Sequence, residues 1–209
     1  MDSRYHMALI AAALAFFLSG PAPAKAQQQR SPWMINVGIG VGRGEFEDVD
    51  DGRRTYRDGA VPQIRFGRML SSHLMVGLAY QGWVVEFDRL GGTQLVDAKL
   101  RRSLQNLTLG LAWFPASDGS LSGLYVRGGG GVGWAGTAIV PVVEGEPQGH
   151  GDRVDDHGIS YMAEAGYEFR ISRSAALGLI VSYNYLDIQG DIVRTAWFSS
   201  ANFTLTLFF

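Results

Sequence analysis

The chain holds three groups of residues whose types and spacing could do chemistry. Asp156, His157 and Ser160 crowd together, and an imidazole that takes the proton of a hydroxyl turns that hydroxyl into a nucleophile. Gly128, Gly130 and Gly133 fit G-x-G-x-x-G, the turn that lets backbone amides approach a dinucleotide pyrophosphate. Asp48, Asp50 and Asp51, and further on His150, Asp152, Asp155, Asp156 and His157, supply oxygen-rich runs of the kind that bind Ca2+ or Mg2+. Cysteine is absent, which removes thiolate nucleophiles, thiolate metal sites and disulfides together. Whether the remaining groups can act depends on the elements that carry them.

Residues 1–26 have the layout of a secretory signal peptide, with Arg4, an apolar run from Met7 to Leu18 and the small-x-small site Ala24-Lys25-Ala26. Twelve apolar residues fall short of the roughly 20 that a membrane-spanning helix needs. The remainder, 27–209, is 183 residues with 16 basic and 19 acidic side chains, which fits one domain. No basic face is clustered enough for nucleic acid. An exported chain without disulfides must draw its stability from backbone pairing and packing. Its 28 glycines and a single lysine after the signal, Lys99, are unusual for a surface that faces water.

Period two dominates the rest of the chain. Trp33, Ile35, Val37, Ile39 and Val41 alternate with Met34, Asn36, Gly38, Gly40 and Gly42, which places bulky apolar groups on one face of a strand and small groups on the other. Seven further strands read the same way. Pro62, Ile64 and Phe66 oppose Gln63, Arg65 and Gly67; Leu74, Val76, Leu78 and Tyr80 oppose Met75, Gly77, Ala79 and Gln81; Leu107, Leu109, Leu111 and Trp113 oppose Asn106, Thr108, Gly110 and Ala112. Leu124, Val126, Val132 and Trp134 oppose Arg127, Gly129, Gly131 and Gly133; Tyr161, Ala163, Ala165, Tyr167 and Phe169 oppose Ser160, Met162, Glu164, Gly166 and Glu168. Leu177, Leu179, Val181, Tyr183 and Tyr185 oppose Gly178, Ile180, Ser182 and Asn184, and the last strand sets Trp197, Ala201, Phe203, Leu205, Leu207 and Phe209 against Phe198, Ser200, Asn202, Thr204, Thr206 and Phe208. The connections alternate short (Met69 to His73, Pro115 to Gly123, Ile171 to Ser174) and long (Arg43 to Gly59, Phe87 to Arg101, Thr137 to Gly158, Asp187 to Ala196), as periplasmic turns and extracellular loops do. The four long connections hold 15 of the 19 acidic residues.

A soluble barrel would turn its bulky face inward and clothe the other in Lys, Glu and Asp. Here the second face is mostly Gly, Ala, Ser, Thr, Asn and Gln, groups that fit the narrow interior of an eight-stranded ring. The bulky rows therefore face lipid, and closure leaves no unpaired edge in hydrocarbon. Trp33, Phe66, Trp113, Phe169 and Phe209 fall at one end of the strands and Tyr80, Trp134, Tyr161, Tyr185 and Trp197 at the other, forming two aromatic girdles. The expected fold is all-β, an eight-stranded antiparallel transmembrane β-barrel.

On such strands the chemical candidates change meaning. No helix follows the Gly128 run, so its glycines serve packing or bending. His157 and Ser160 are three apart and point to opposite faces. The acidic runs lack the spacing of a calcium loop and read as solvated charge, so neither metal nor cofactor is expected. Four charges share inward parity, Arg65, Arg127, Glu164 and Glu168, and form a candidate lumen network whose members must be paired to be tolerated. Arg65, Arg127 and Glu168 fall toward the periplasmic end, with Glu164 higher.

From Trp33 to Phe209 the chain resembles the small outer-membrane barrels related to the OmpA transmembrane domain. The most specific element is the last strand, where Phe203, Leu205, Leu207 and Phe209 look like the signal read by the barrel-assembly machinery. The resemblance implies an outer-membrane location among lipid and lipopolysaccharide, and a lumen cluster that plugs or gates. The chain stops inside that strand, so the wall-anchoring role of larger members is not expected. His157-x-x-Ser160 departs from the His-x-Ser of lipid A deacylases. The leading expectation is a non-enzymatic barrel with a structural role or an extracellular ligand for its loops. Alternatives are a narrow channel for small or hydrophobic solutes and a rim enzyme acting on lipid A; porin-scale diffusion needs about 16 strands.

Overall fold

The computed structural model describes residues 33–49, 52, 54–71, 73–89, 98–115, 123–143, 146–147, 153–191 and 193–209. The expected signal peptide lies outside the described residues, as do Asp50, Asp51, His150 and Asp152 of the acidic runs. Eight long strands, β1 (Trp33–Asp48), β2 (Arg54–Met69), β3 (Leu74–Arg89), β4 (Ala98–Trp113), β5 (Gly123–Val143), β7 (Arg153–Arg170), β8 (Ala175–Ile188) and β9 (Val193–Phe208), form the body. A two-residue strand, β6 (Glu146–Pro147), pairs with the end of β5.

Every neighbouring pair is antiparallel, and the ring closes where β1 meets β9 along Met34–Asp48. The last backbone pair is reciprocal: Trp33 N–H donates to Phe209 O (3.3 Å) and Phe209 N–H to Trp33 O (3.1 Å). No sheet edge is left in the hydrocarbon, where each unpaired N–H or C=O would cost several kcal/mol. The turn after β2 is tied by Leu70 N–H to Leu74 O (2.9 Å), and the turn after β7 by Ile171 N–H to Ala175 O (3.0 Å). Both fall where the sequence places short connections.

The faces sort as the alternation requires. Ile39, Val41, Leu109 and Phe203 are more than half exposed on the outer wall, whereas Asn36, Gln63, Asn106, Asn184, Asn202 and Thr206 are buried inside. At the short-turn end Trp33 stacks on Phe66 (centroids 5.1 Å), and Phe66 meets Phe209 (6.5 Å). At the other end Trp197 stacks on Tyr183 (5.7 Å) and meets Tyr56 edge-on (6.4 Å).

One sequence expectation is corrected. Much of each long connection is strand: β1 and β2 pair as far as Glu47–Arg54, β3 and β4 as far as Arg89–Ala98, and β5 runs to Val143. A tilted strand needs about 9 to 11 residues to cross a membrane, and these run 14 to 21. Beyond the bilayer the outer face no longer needs to be apolar, so its row turns from apolar to charged while the ladder continues. Cross-strand ion pairs replace the apolar row. Arg43 grips Asp58 with two prongs (2.8 and 3.1 Å), Arg54 reaches Glu47 (3.3 Å) and Glu45 (3.5 Å), and Arg101 pairs with Glu86.

Inside, two apolar layers fill the ring. The upper one, on the extracellular side, gathers Phe46, Val61, Trp83, Leu104, Leu186 and Phe198 with their neighbours. The lower one gathers Met34, Met75, Phe114, Tyr125, Ile180 and Phe208. Trp83 fits because it lies over two glycines: a Cβ on Gly44 would fall 2.8 Å, and one on Gly59 2.7 Å, from its indole. Trp83→Ala should remove about 3–5 kcal/mol of stability through the cavity it leaves, read as a lowered urea midpoint for the barrel refolded in lipid vesicles.

Candidate functional site

Between the apolar layers lies a band of polar side chains, and it contains all four charges singled out in the sequence. Asn36 on β1, Arg65 on β2, Glu164 and Glu168 on β7 and Thr206 on β9 are buried and point inward because each shares the parity of its strand's small residues. Arg65 is the hub. Its Nη1 donates to Glu164 Oε1 in a tight ion pair and to the Tyr125 hydroxyl (2.8 Å), and its Nε donates to Asn36 Oδ1 (3.1 Å). Tyr125 donates in turn to the same Glu164 oxygen (2.9 Å).

Glu168 joins indirectly. Asn36 Nδ2 donates to Thr206 Oγ1 (2.7 Å), and Thr206 donates to Glu168 Oε1 (3.0 Å). Arg127 stands opposite Glu164 across the β5–β7 pair, yet its Nη2 donates to the carbonyl of Gly77 (3.0 Å). The structure therefore brings three of the four charges into one chain of hydrogen bonds and holds Arg127 on backbone. A second polar tier sits above, where Gln63 Oε1 accepts from Gln81 (2.9 Å) and Asn202 (2.8 Å) and Asn106 donates to Asn184 (2.8 Å).

Sequence reading missed Tyr125. Its neighbours Leu124 and Val126 announce the outward row, but a tyrosine on the inner face looks out of place among glycines. The available signal was parity with Arg127, together with Gly166 on the adjacent strand: a Cβ there would fall 2.5 Å from the Tyr125 ring. The glycine makes the room that lets a large phenol reach Arg65 and Glu164. Parity alone also could not say which arginine Glu164 would choose.

The other chemical candidates come apart. His157 is exposed on the outer wall and Ser160 is fully buried inside, so no imidazole reaches that hydroxyl. Asp156 is engaged with backbone amides, accepting from Asp191 N–H (3.2 Å) and Val193 N–H (2.9 Å). Gly128, Gly130 and Gly133 lie within the single strand β5, so no helix N-terminus meets a phosphate there. Among the described residues no three His, Asp or Glu side chains stand together as metal ligands would.

A buried ion pair is costly to halve. Arg65→Met should strand Glu164 in a water-poor interior and cost about 3–5 kcal/mol, whereas Arg65→Met with Glu164→Leu should cost far less, because an apolar pair of similar volume carries no desolvation penalty. Urea titrations of the folded barrel in vesicles read both, and a double variant as weak as the single one would contradict the pairing.

Comparison with known proteins agrees with this geometry. The family model described as "Outer membrane protein beta-barrel domain" matches residues 11–209. Among solved structures, Ail, the attachment invasion locus protein of Yersinia pestis, in complex with the heparin analogue sucrose octasulfate, superposes with a TM-score of 0.54 at 13% identity over 83% of this chain and 99% of that one. Neisserial surface protein A gives 0.50 at 13% identity over 87% and 100%. OprG from Pseudomonas aeruginosa gives 0.43 at 16% identity over 88% and 99%. A search of curated proteins finds no match. With its closed eight-stranded ring, lipid-facing apolar wall and matched family model, the chain belongs to the outer membrane protein β-barrel family and resides in the outer membrane.

Proposed function

We propose that this barrel is a non-enzymatic membrane anchor that presents its extracellular strand extensions and loops to a partner outside the cell. The observation that carries this reading is the occluded interior. Two layers of interlocked apolar side chains, one built on Trp83 and Phe198 and the other on Phe114 and Phe208, bracket a hydrogen-bonded polar band. A solute crossing from rim to rim would have to displace both layers and break the Arg65–Glu164 pair. That arrangement opposes the steady-channel alternative.

The rim-enzyme alternative fares no better, since His157 and Ser160 face opposite sides of the wall and Asp156 is occupied by backbone. The loops have a chemistry of their own. Over 43–59, 87–101, 137–158 and 187–196 the chain carries 15 acidic against nine basic side chains. The structurally similar Ail is recorded with a heparin analogue; an acidic excess here favours a partner with cationic groups over a sulfated sugar.

Planar-bilayer recordings test the carrying observation. The purified barrel should insert with no discrete, steady conductance step, and surface-displayed cells should bind immobilised cationic peptide more strongly than heparin. A reproducible open level of defined size would overturn the occluded reading, and preference for heparin would overturn the choice of partner.

A further inference from the structure

From the lower aromatic girdle to the upper one, the outward side chains of the described strands carry a single charge, Arg68 near the end of β2. It pairs directly with Trp33 on β1 and Val76 on β3, so it belongs to the lower girdle, where Phe66 meets both Trp33 and Phe209. Aromatic girdles mark the headgroup level. A cation on the lipid face is poorly tolerated at the midplane and far better at the interface, and this one stands at the periplasmic interface.

Its surroundings set it apart from the arginines of the upper wall. Arg43, Arg54 and Arg101 each hold a carboxylate of the neighbouring strand. Arg68 is exposed, and no hydrogen bond or ion pair within the protein reaches its guanidinium. Its contact is the face of Trp33, 5.1 Å from the ring centroid. A ring face attracts the cation but accepts none of its N–H donors in the way an oxygen does. The short-turn end also carries Arg170 and Arg173, and among the described residues no acidic side chain there lies outside the lumen. The missing acceptor must therefore come from the lipid.

We infer that Arg68 and Trp33 form a binding site for the phosphate of a glycerophospholipid in the periplasmic leaflet. The guanidinium fork matches two phosphate oxygens, Trp33 backs it on one side, and the acyl chains lie along the half-exposed Phe66 and Leu78 above. A lipid whose phosphate is its only charge, such as phosphatidylglycerol, fits better than one that also carries an ammonium, because no carboxylate is at hand to receive the ammonium. Holding a headgroup at this height fixes the depth of β1 and β2 in the membrane. The site lies at the opposite end from the surface role proposed above and does not rest on it.

Native mass spectrometry of the full chain, extracted from outer membranes into a phosphate-free detergent, reads such a site one lipid at a time. Folded protein, identified by heat-modifiable gel mobility, should take up a first phosphatidylglycerol more tightly than a galactosyl diacylglycerol with the same acyl chains. Inorganic phosphate should not displace it. Arg68→Gln should weaken that first uptake roughly tenfold through loss of the charge-assisted bonds, and Arg68→Lys, which keeps the charge without the fork, should fall between. Arg173→Gln, in the exposed turn after β7, should leave it unchanged. If Arg68→Gln does not fold, the lysine variant and the galactolipid comparison on the unaltered protein decide the matter. Equal uptake of the two lipids, or undiminished phosphatidylglycerol affinity in folded Arg68→Gln, would overturn the site. An equal weakening in Arg173→Gln would overturn its assignment to Arg68, and displacement by inorganic phosphate would overturn a lipid as its occupant.

Discussion

In hydrocarbon no water is available to a backbone N–H or C=O, and an unpaired one costs several kcal/mol. A sheet can meet that condition only by having no edge. Here the first strand finds the last, β1 against β9 from Met34 to Asp48, and the rest of the architecture follows from that closure. Eight strands enclose a narrow ring, so the inward row of β1 is Gly38, Gly40, Gly42 and Gly44. At Gly40 even a methyl group would come within 2.1 Å of the Ala201 carbonyl. Small residues along one wall then set aside space for a few large ones from other walls, which is how Trp83 and Tyr125 come to fill the two ends of the interior.

The polar band between them has a different role. A buried ion pair is weak evidence for stability, since desolvation of both charges offsets much of their attraction. Its geometry matters more. Asn36, Arg65, Tyr125, Glu164, Glu168 and Thr206 come from five strands, and their hydrogen bonds form only if all five are in register. A slip of one residue in any strand would turn its polar side chain to the lipid and its apolar neighbours to the lumen. The band thus penalises every wrong register at once, a specificity that interchangeable Leu and Val rows on the outer wall cannot supply.

The same logic explains what could be read from residues alone. Within the membrane both faces are constrained, one by lipid and one by lack of space, so the period of two is sharp, and the eight strands, their facing and the aromatic girdles are legible. Above the membrane the outer constraint lapses. Arg43, Glu45 and Glu47 alternate with Gly42, Gly44 and Phe46 as faithfully as Ile35, Val37 and Ile39 alternate with their own neighbours, but charged residues in alternation look like loop. Only the cross-strand partner, Asp58 for Arg43 and Arg54 for Glu47, shows that the ladder continues. The lumen was legible to the level of which charges face inward, and not to which ones touch, because Arg65 and Arg127 have equal parity and only three-dimensional reach separates them.

Glu45 marks where one regime gives way to the other. It has outward parity, yet it is nearly buried, held by Trp197 Nε1 (2.7 Å) and Arg54. A carboxylate on the outer wall would be intolerable two rows down, beside Val41 and Ala201; here an indole and a guanidinium cover it. The membrane surface therefore lies between Val41 and Glu45 on this side of the barrel, and what stands above it on β1 and β2 is hydrogen-bonded sheet. A partner that meets this surface meets a pre-ordered wall, and binding to a rigid wall sacrifices less conformational freedom than binding to a loop that must first be ordered. Extending strands past the bilayer is thus a way to present a surface as well as to span a membrane, and it uses the backbone pairing that closure already requires.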